Sequence, residues 1–283
     1  MEYLTLNNGM KIPQLGIGTF MLSPKEAEAS VLSALETGYR HVDTANVYLN
    51  ERAVGRAIKK SGLPREEIFL VTKIFPNHYA CAAEQIDATL RMLDVDYVDL
   101  MLLHQPFGEV DTAWKACEQA VRDGKVKGIG VCNFIEEDME KLLSYATIKP
   151  ALIQNECHPY FAQNDMMLKY GADGIPIEAW YPLGHGDSGL MGEQIFTELS
   201  GKYGKSIVQI ILRWHIQCGH IIIPGSKNPD HIRSNMEIFD FALSDEEMAR
   251  IGELDGKKRF FKFTREQVKS GLSRFEFDYD SQE

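Results

Sequence analysis

Short apolar runs alternate along this chain with stretches whose apolar positions recur at helical spacing, and caps and glycines mark the joins. Ser23-Pro24-Lys25-Glu26 is a capping box with proline at the first helical position, Val31, Ala34 and Leu35 form the apolar stripe, and Gly38 ends the helix. Tyr39-Arg40-His41-Val42-Asp43 is β-compatible, a helix from Asn50 to about Lys60 stops at Gly62, and Ile68 to Thr72 has the composition of a buried strand. The alternation then gives a helix near Ala82 to Leu93 before a strand Val98 to Leu103, and one near Thr112 to Val121 before Gly128 to Val131. A helix near Glu136 to Ser144 precedes Ala151 to Ile153, and one near Asn164 to Tyr170 precedes Ile175 to Ala179. Two helices, Glu193 to Lys202 and Ser206 to Gln217, precede Ile221 to Ile223.

With a short first strand at Gln14 to Ile17 this makes about eight strand–helix units, the number expected of a (β/α)8 barrel of ~250 residues. Near-continuous apolar strands between amphipathic helices mean a parallel sheet covered by helices. A doubly wound open sheet has the same pattern, because closure leaves no mark in sequence. Tyr3 to Ile12 reads as a hairpin with an Asn-Gly turn outside the repeat. No low-complexity linker divides the chain, so residues 1–283 are expected to form a single domain, with 257–283 as a C-terminal tail.

Composition narrows the classes of function. The 283 residues are 44% hydrophobic and 25% charged, a globular composition. Lys plus Arg is 30 against 41 Asp plus Glu, a formal charge of −11, which repels phosphate backbones and excludes nucleic acid as a partner of the whole chain. No apolar run approaches the ~20 residues of a membrane span, and Met1-Glu2-Tyr3-Leu4 lacks the features of a secretory signal. The five cysteines are scattered without a C-x-x-C pair, as expected of reduced thiols in a cytoplasmic protein.

Most apolar runs stop at a residue capable of chemistry: Asp43, Lys73, His104, Asn133, Gln154, Trp180 and the pair Ser226-Lys227. In a parallel barrel these ends share one rim, where active sites are built. Polar strand ends are common singly, but Asp, Lys and His on three successive strands are not explained that way. An ammonium among them disfavours a metal site, so no metal is expected. His41-Val42-Asp43 is only half a ligand motif, and no G-x-S-x-G elbow is present. Gly16-Ile17-Gly18 lacks the third glycine of a dinucleotide fingerprint and reads as an ordinary tight turn. What remains is proton transfer. Tyr48 follows Asp43 by five residues, and a nearby ammonium favours its phenolate, while Asp43 would hold Lys73 charged.

The segment Gly38-Tyr39-Arg40-His41-Val42-Asp43-Thr44-Ala45-Asn46-Val47-Tyr48-Leu49-Asn50-Glu51 resembles the signature of the aldo-keto reductases. Lys73 after Val71-Thr72, His104 before Gln105-Pro106, Gly128 to Phe134, Gln154 to Tyr160 and Ile223-Pro224-Gly225-Ser226 resemble the same family, so the likeness runs from about Leu4 to Leu254. The short loop after His104 resembles prokaryotic members such as the 2,5-diketo-D-gluconate reductases, and its brevity implies an open pocket.

The resemblance implies a (β/α)8 barrel whose C-terminal loop covers the mouth, reducing small aldehydes or ketones, α-dicarbonyls and keto-sugars among them, with NADPH or NADH. Tyr48 would be the general acid, Lys73 the group lowering its pKa, Asp43 the partner of Lys73, and His104 the group orienting the carbonyl. Asn133 and Gln154 would hold the nicotinamide carboxamide beside Cys132, with Trp180 stacked on the ring. Leu183, Ser226, Lys227, His231 and Asn235 would line the rest of the cofactor, and Phe20, Val47, Phe75, His104 and Gln105 the substrate pocket.

Three departures bear on this. Cys132 replaces the usual serine, a weaker hydrogen-bonding group, and Gln105 replaces a frequent tryptophan. Gly225 and His231 stand where lysine and arginine often grip a 2′-phosphate. Lys227 and Arg233 can supply charge instead, which favours NADPH over NADH, and a solvated loop lysine accounts for Lys227 equally well. His158 is expected to be structural. In the tail, Phe260, Phe261, Phe263, Phe275, Phe277 and Tyr279 either cover the pocket or pack on the outside, and Asp278 to Glu283 are expected to be mobile. A monomer or weak homo-oligomer is expected. The competing functions are a nucleotide-binding redox sensor of the same fold, and a metal-dependent barrel hydrolase.

Overall fold

A computed structural model describes residues 1–272 and 277–282. A hairpin of β1 (Tyr3–Thr5) and β2 (Lys11–Pro13) comes first, turning at Gly9, whose φ of +85° suits glycine. Eight strands then pair in parallel in sequence order: β3 (Ile17–Gly18), β4 (His41–Asp43), β5 (Phe69–Ile74), β6 (Val98–Leu103), β7 (Val126–Cys132), β8 (Ile153–Glu156), β9 (Ile177–Trp180) and β10 (Ile221–Ile222). Helices α1 (Pro24–Thr37), α2 (Glu51–Ser61), α3 (Ala82–Leu93), α4 (Val110–Arg122), α5 (Glu136–Leu143) and α6 (Asn164–Tyr170) each lead from one strand to the next. Three lie between β9 and β10: α7 (Ser188–Met191), α8 (Gln194–Tyr203) and α9 (Ile207–Gln217). After β10 come α10 (Pro229–Met236), α11 (Asp245–Gly252) and α12 (Arg265–Leu272).

The sheet closes on itself. Leu15 bridges Ile222 in parallel, Gly16 N donates to Ile222 O at 2.8 Å, and Ile222 N donates to Gln14 O at 2.8 Å. Closure decides between the two expected architectures in favour of the barrel. It also corrects the reading of Gly16-Ile17-Gly18 as a turn. Ile17 and Gly18 are strand, and the glycines are required by close approach: a Cβ on Gly16 would lie 2.6 Å from His41 Nδ1, and one on Gly18 would lie 2.7 Å from Ile223 O.

Strand alternation fills the barrel. Phe69, Val71, Leu100, Leu102, Leu152 and Ile221 pack with Leu6 and Ile12, so the hairpin seals one end with apolar side chains. On the same parity, further along each strand, stand Lys73, His104, Cys132 and Gln154. The opposite parity packs against the helices, as with Leu70, Met101, Leu103, Ile129 and Val131.

Two boundaries differ from expectation for one reason. Strand β8 is Ile153–Glu156 rather than Ala151 to Ile153, and β5 continues to Ile74. The barrel interior near the mouth is polar, so apolarity stops marking the strand before the strand ends. Helix α11 lies outside the repeat but carries a complete Ser244/Glu247 capping box.

The tail also differs. Of Asp278 to Glu283, expected to be mobile, the described residues are docked. Tyr279 is buried, its hydroxyl donates to Glu51 Oε2 at 2.5 Å, and Arg52 N donates to Gln282 Oε1 at 3.3 Å. A buried carboxylate on α2 gives the tail the partner that sequence alone does not reveal. Phe275 and Glu283 lie outside the described residues. No described helix is long and apolar enough to cross a membrane.

A Cβ on Gly55 of α2 would lie 2.2 Å from Leu93 O, whereas one on Gly201 of α8 would meet nothing. Gly55→Ala is therefore expected to cost ~3 kcal/mol through a clash with backbone, and Gly201→Ala to add ~0.5–1 kcal/mol by helix propensity. Urea denaturation of both variants checks this.

Candidate active site

Asp43 ends β4 and Lys73 lies on β5, both facing inward. Lys73, fully buried, donates from Nζ to Asp43 Oδ1 at 2.6 Å and to Thr44 O at 2.8 Å. Asp43 Oδ2 accepts from Gln154 Nε2 at 2.9 Å, and the same nitrogen donates to Glu178 Oε2 at 2.8 Å. Glu178 Oε1 stands 3.2 Å from His41 Nε2, so a buried polar chain crosses the barrel beneath the mouth.

Tyr48 is carried by a short 3₁₀ turn, Asn46–Tyr48, after β4. Two asparagines fix that turn. Asn46 Oδ1 accepts from Phe75 N at 3.1 Å, and Asn50 Nδ2 donates to Thr19 O at 3.0 Å and Leu22 O at 3.1 Å while its Oδ1 accepts from Thr44 Oγ1 at 2.9 Å. The Tyr48 ring lies 5.1 Å from Lys73 Nζ and 5.7 Å, edge-on, from the His104 ring. Phe75 packs on His104 at 5.6 Å and the exposed Phe20 on Tyr48 at 5.1 Å, giving aromatic walls to the mouth. Val47 is half-buried, and the Gln105 backbone is held by the Tyr79 hydroxyl, which donates to its carbonyl at 2.7 Å and accepts from its N–H at 3.0 Å.

The electrostatics follow from burial. Burial works against the Lys73 ammonium, but Asp43, then Tyr48 and Cys132, outweigh it and raise its pKa. Burial raises Asp43 while Lys73 pulls it back. Burial also raises the Tyr48 phenol, and Lys73 opposes this only in part, so the hydroxyl is protonated at neutral pH. Burial, reinforced by Lys73, holds His104 well below an ordinary histidine, so its imidazole is neutral. The arrangement is a protonated phenol beside a permanent cation and a neutral imidazole.

Beside this cluster, Asn133 sits in the left-handed region with φ +64° and donates to His104 O at 3.0 Å and to Cys132 Sγ at 3.2 Å, while Trp180 Nε1 donates to its Oδ1 at 3.1 Å. Among the described residues, Gln154 Oε1 accepts from the weak Cys132 thiol at 3.5 Å and keeps a lone pair for an amide N–H. Trp180 is half-buried with Tyr181 and Phe261 edge-on at 4.9 and 5.5 Å. A positioned ring and two fixed amides fit a nicotinamide. Ser226 and Lys227 lie between β10 and α10, and His231 is in the first turn of α10. There Lys227 Nζ pairs with Glu26 Oε1 at 3.2 Å, Ser226 Oγ accepts from Asn228 N at 3.1 Å, and His231 is exposed. Leu183 packs against two core clusters and Asn235 is buried in α10.

His158 pairs with Glu156 Oε1 at 3.2 Å, a structural role. Glu156 Oε1 also accepts from Phe260 N at 2.7 Å and Phe261 N at 3.1 Å, which draws the start of the tail across the ends of β8 and β9. Phe277 reaches Phe75 at 6.0 Å from the other side, so the tail rims the mouth. Sequence reasoning missed Glu178, His41, Asn46, Asn50, Glu51 and Glu156 as supports. The legible signal for Glu178 was its place two residues before Trp180 in an apolar strand, which puts both on the inward face.

The chain is thus a closed parallel barrel with Asp43, Lys73, Tyr48 and His104 gathered at one end of its strands. A model of the Aldo/keto reductase family matches residues 14–256, and the chain belongs to that family. It is 41% identical to a morphine 6-dehydrogenase of Pseudomonas putida, over 96% of this chain and 97% of the relative. It is 36% identical to a methylglyoxal reductase of Escherichia coli K12, over 90% of this chain and 94% of the relative. Among solved structures, an aldo/keto reductase from Brucella melitensis superposes with TM-score 0.85 at 41% identity, covering 90% of this chain and 99% of that one. A Bombyx mori aldo-keto reductase in complex with NADP superposes with TM-score 0.86 at 32% identity, covering 92% and 95%. The protein is thus an oxidoreductase of a family that uses nicotinamide cofactors for carbonyl reduction.

Burial lifts Glu51 to about 7, against hydrogen bonds from Thr72 and Tyr279 that lower it. A carboxyl raised in the folded state favours the protonated form, so the contribution of Glu51 to stability is greatest below the unfolded pKa and is lost as pH rises toward about 7. Glu51→Gln should remove this contribution, gaining about 3 kcal/mol on the wild type between pH 4.5 and 7. Urea midpoints measured across that range test it.

Proposed function

We propose that the protein reduces small aldehydes and ketones with NADPH, with Tyr48 as the general acid. The observation that carries this is the Lys73–Asp43 ion pair set directly beneath the Tyr48 ring, with a neutral His104 beside it. When bound, the cofactor supplies a hydride to the carbonyl carbon. Tyr48 gives its hydroxyl proton to the carbonyl oxygen, and the Lys73 ammonium stabilises the phenolate left behind. His104 donates a hydrogen bond to the same oxygen and fixes its direction. Asn133 and Gln154 would hold the carboxamide beside Cys132, Trp180 would stack on the ring, and Leu183 and Asn235 would line the rest.

Phe20, Phe75 and Val47 give an apolar mouth suited to compact carbonyls, and the methylglyoxal reductase among the relatives supports α-dicarbonyls as the first substrates to try. Keto-sugars belong on the same panel. Lys227, His231 and the nearby Arg233 favour NADPH over NADH, supported by the NADP bound to the Bombyx relative. The acidic chain with scattered free thiols supports a cytoplasmic protein, monomeric or weakly associated, acting on small molecules alone.

Tyr48→Phe should lose carbonyl reduction by at least ~1000-fold with nucleotide affinity nearly unchanged, and Lys73→Met should be crippled similarly. Steady-state turnover on methylglyoxal, aldehydes and keto-sugars with each nucleotide is the measurement, and wild-type turnover by Tyr48→Phe would refute the assigned acid. Absence of turnover by the native protein on every substrate would favour a sensor. Lys227→Ala should lower kcat/KM for NADPH by ~10-fold, the worth of one charged hydrogen bond, and leave that for NADH unchanged.

A further inference from the structure

Gln154 and Glu178 are register partners on the neighbouring strands β8 and β9. The Gln154 amide gives one N–H to Asp43 Oδ2 at 2.9 Å and the other to Glu178 Oε2 at 2.8 Å. Both of its donors are thus consumed inside the protein, and what it can still offer is a lone pair on Oε1. Asn133 is committed in the same sense: Nδ2 donates to His104 O at 3.0 Å and to Cys132 Sγ at 3.2 Å, and Oδ1 accepts only one N–H among the described residues, from Trp180. We propose that Glu178 is a positioning residue that holds Gln154 as an acceptor, so that the site reads the amino half of the nicotinamide carboxamide. This rests on the reading of Gln154 and Asn133 as the carboxamide contacts.

The orientation of Gln154 follows from its partners. A reversed amide would set Oε1 against Asp43 Oδ2, and the Asp43 carboxylate, as the counter-charge of Lys73, only accepts. One hydrogen bond leaves an amide free to turn about it, whereas two, to carboxyl groups on β4 and β9, set its plane. Glu178 is in turn held in place. Its Oε1 stands 3.2 Å from His41 Nε2, and His41 Nδ1 lies 3.3 Å from Pro13 O. The His41 ring is pressed against Gly16, where a Cβ would lie 2.6 Å from Nδ1. Glu178 and His41 are both fully buried, so solvent does not compete for these contacts.

With both amides fixed as acceptors, the group they select is a donor. An NH₂ group supplies two hydrogens to the lone pairs left on Gln154 Oε1 and Asn133 Oδ1. A methyl group in its place leaves those buried oxygens unpaired, and a site built to hydrogen-bond one group rejects the analogue that lacks it. Glu178 acts on this choice through Gln154 alone, since its own two oxygens face Gln154 and His41.

The test measures binding rather than turnover. The full chain is titrated by tryptophan fluorescence with NADP⁺, with its 3-acetylpyridine analogue, in which CH₃ replaces the carboxamide NH₂, and with 2′-phospho-ADP-ribose, which lacks the ring. The native protein should prefer NADP⁺ to the analogue by ~10-fold or more, the effect of leaving a buried acceptor unpaired. Glu178→Met should bring the two affinities nearly together while 2′-phospho-ADP-ribose binds as before. Glu178→Gln, whose Oε1 still accepts from Gln154, should keep the native preference. Glu178→Thr, too short to reach Gln154, makes the same test if circular dichroism shows the Met variant unfolded. Equal binding of NADP⁺ and the analogue by the native protein overturns the reading of Gln154 and Asn133 as carboxamide contacts. Native discrimination that survives in folded Glu178→Met, or an equal loss of affinity for all three ligands, overturns the role of Glu178 alone. Loss of discrimination in folded Glu178→Gln overturns the hydrogen bond to Gln154 as its means.

Discussion

The structure depends on the ion pair between Lys73 and Asp43. An ammonium fully buried inside a barrel costs several kcal/mol unless a counter-charge and hydrogen bonds meet it. Here Asp43 at 2.6 Å and the Thr44 carbonyl at 2.8 Å do so. Asp43 is in turn held by Gln154, and Gln154 by Glu178, so the pair is the end of a chain spanning β4, β5, β8 and β9. Breaking such a buried pair on one side typically costs ~3–5 kcal/mol. The charge that conditions Tyr48 is thus also a structural tie among the strands.

The barrel makes the pair possible by dividing its interior in two. Leu6 and Ile12 of the hairpin join the apolar residues at one end, while the same inward parity carries Lys73, His104, Cys132 and Gln154 toward the other. The apolar end excludes water from beneath the polar layer, which strengthens every interaction above it. The tail completes the enclosure from two sides, through Glu156 with Phe260 and Phe261, and through Glu51 with Tyr279.

Much of this was legible in the chain. Asp43, Lys73 and His104 stood out because each ends an apolar run, and closed geometry brings such ends to one rim. A helix with a clear apolar stripe, Ala82 to Leu93, was legible to the residue even without a side-chain cap at Cys81. What sequence hid was interior polarity. Gln154 to Glu156 are strand yet look like loop, and Glu178 and His41 are supports whose value depends on partners distant in sequence. Glycine was misread for a related reason: Gly16 and Gly18 serve close packing at the closure, not a turn. The docking of Tyr279 on Glu51 joins residues 228 apart, a contact no local pattern announces.

The most direct test of the central claim is single-turnover carbonyl reduction by Asp43→Asn across pH, with nucleotide binding measured in parallel. Deprived of its counter-charge, Lys73 should be pushed by burial toward its neutral form. The account predicts loss of the chemical step and a displaced pH profile while nucleotide still binds. Wild-type rates with an unmoved profile would contradict it.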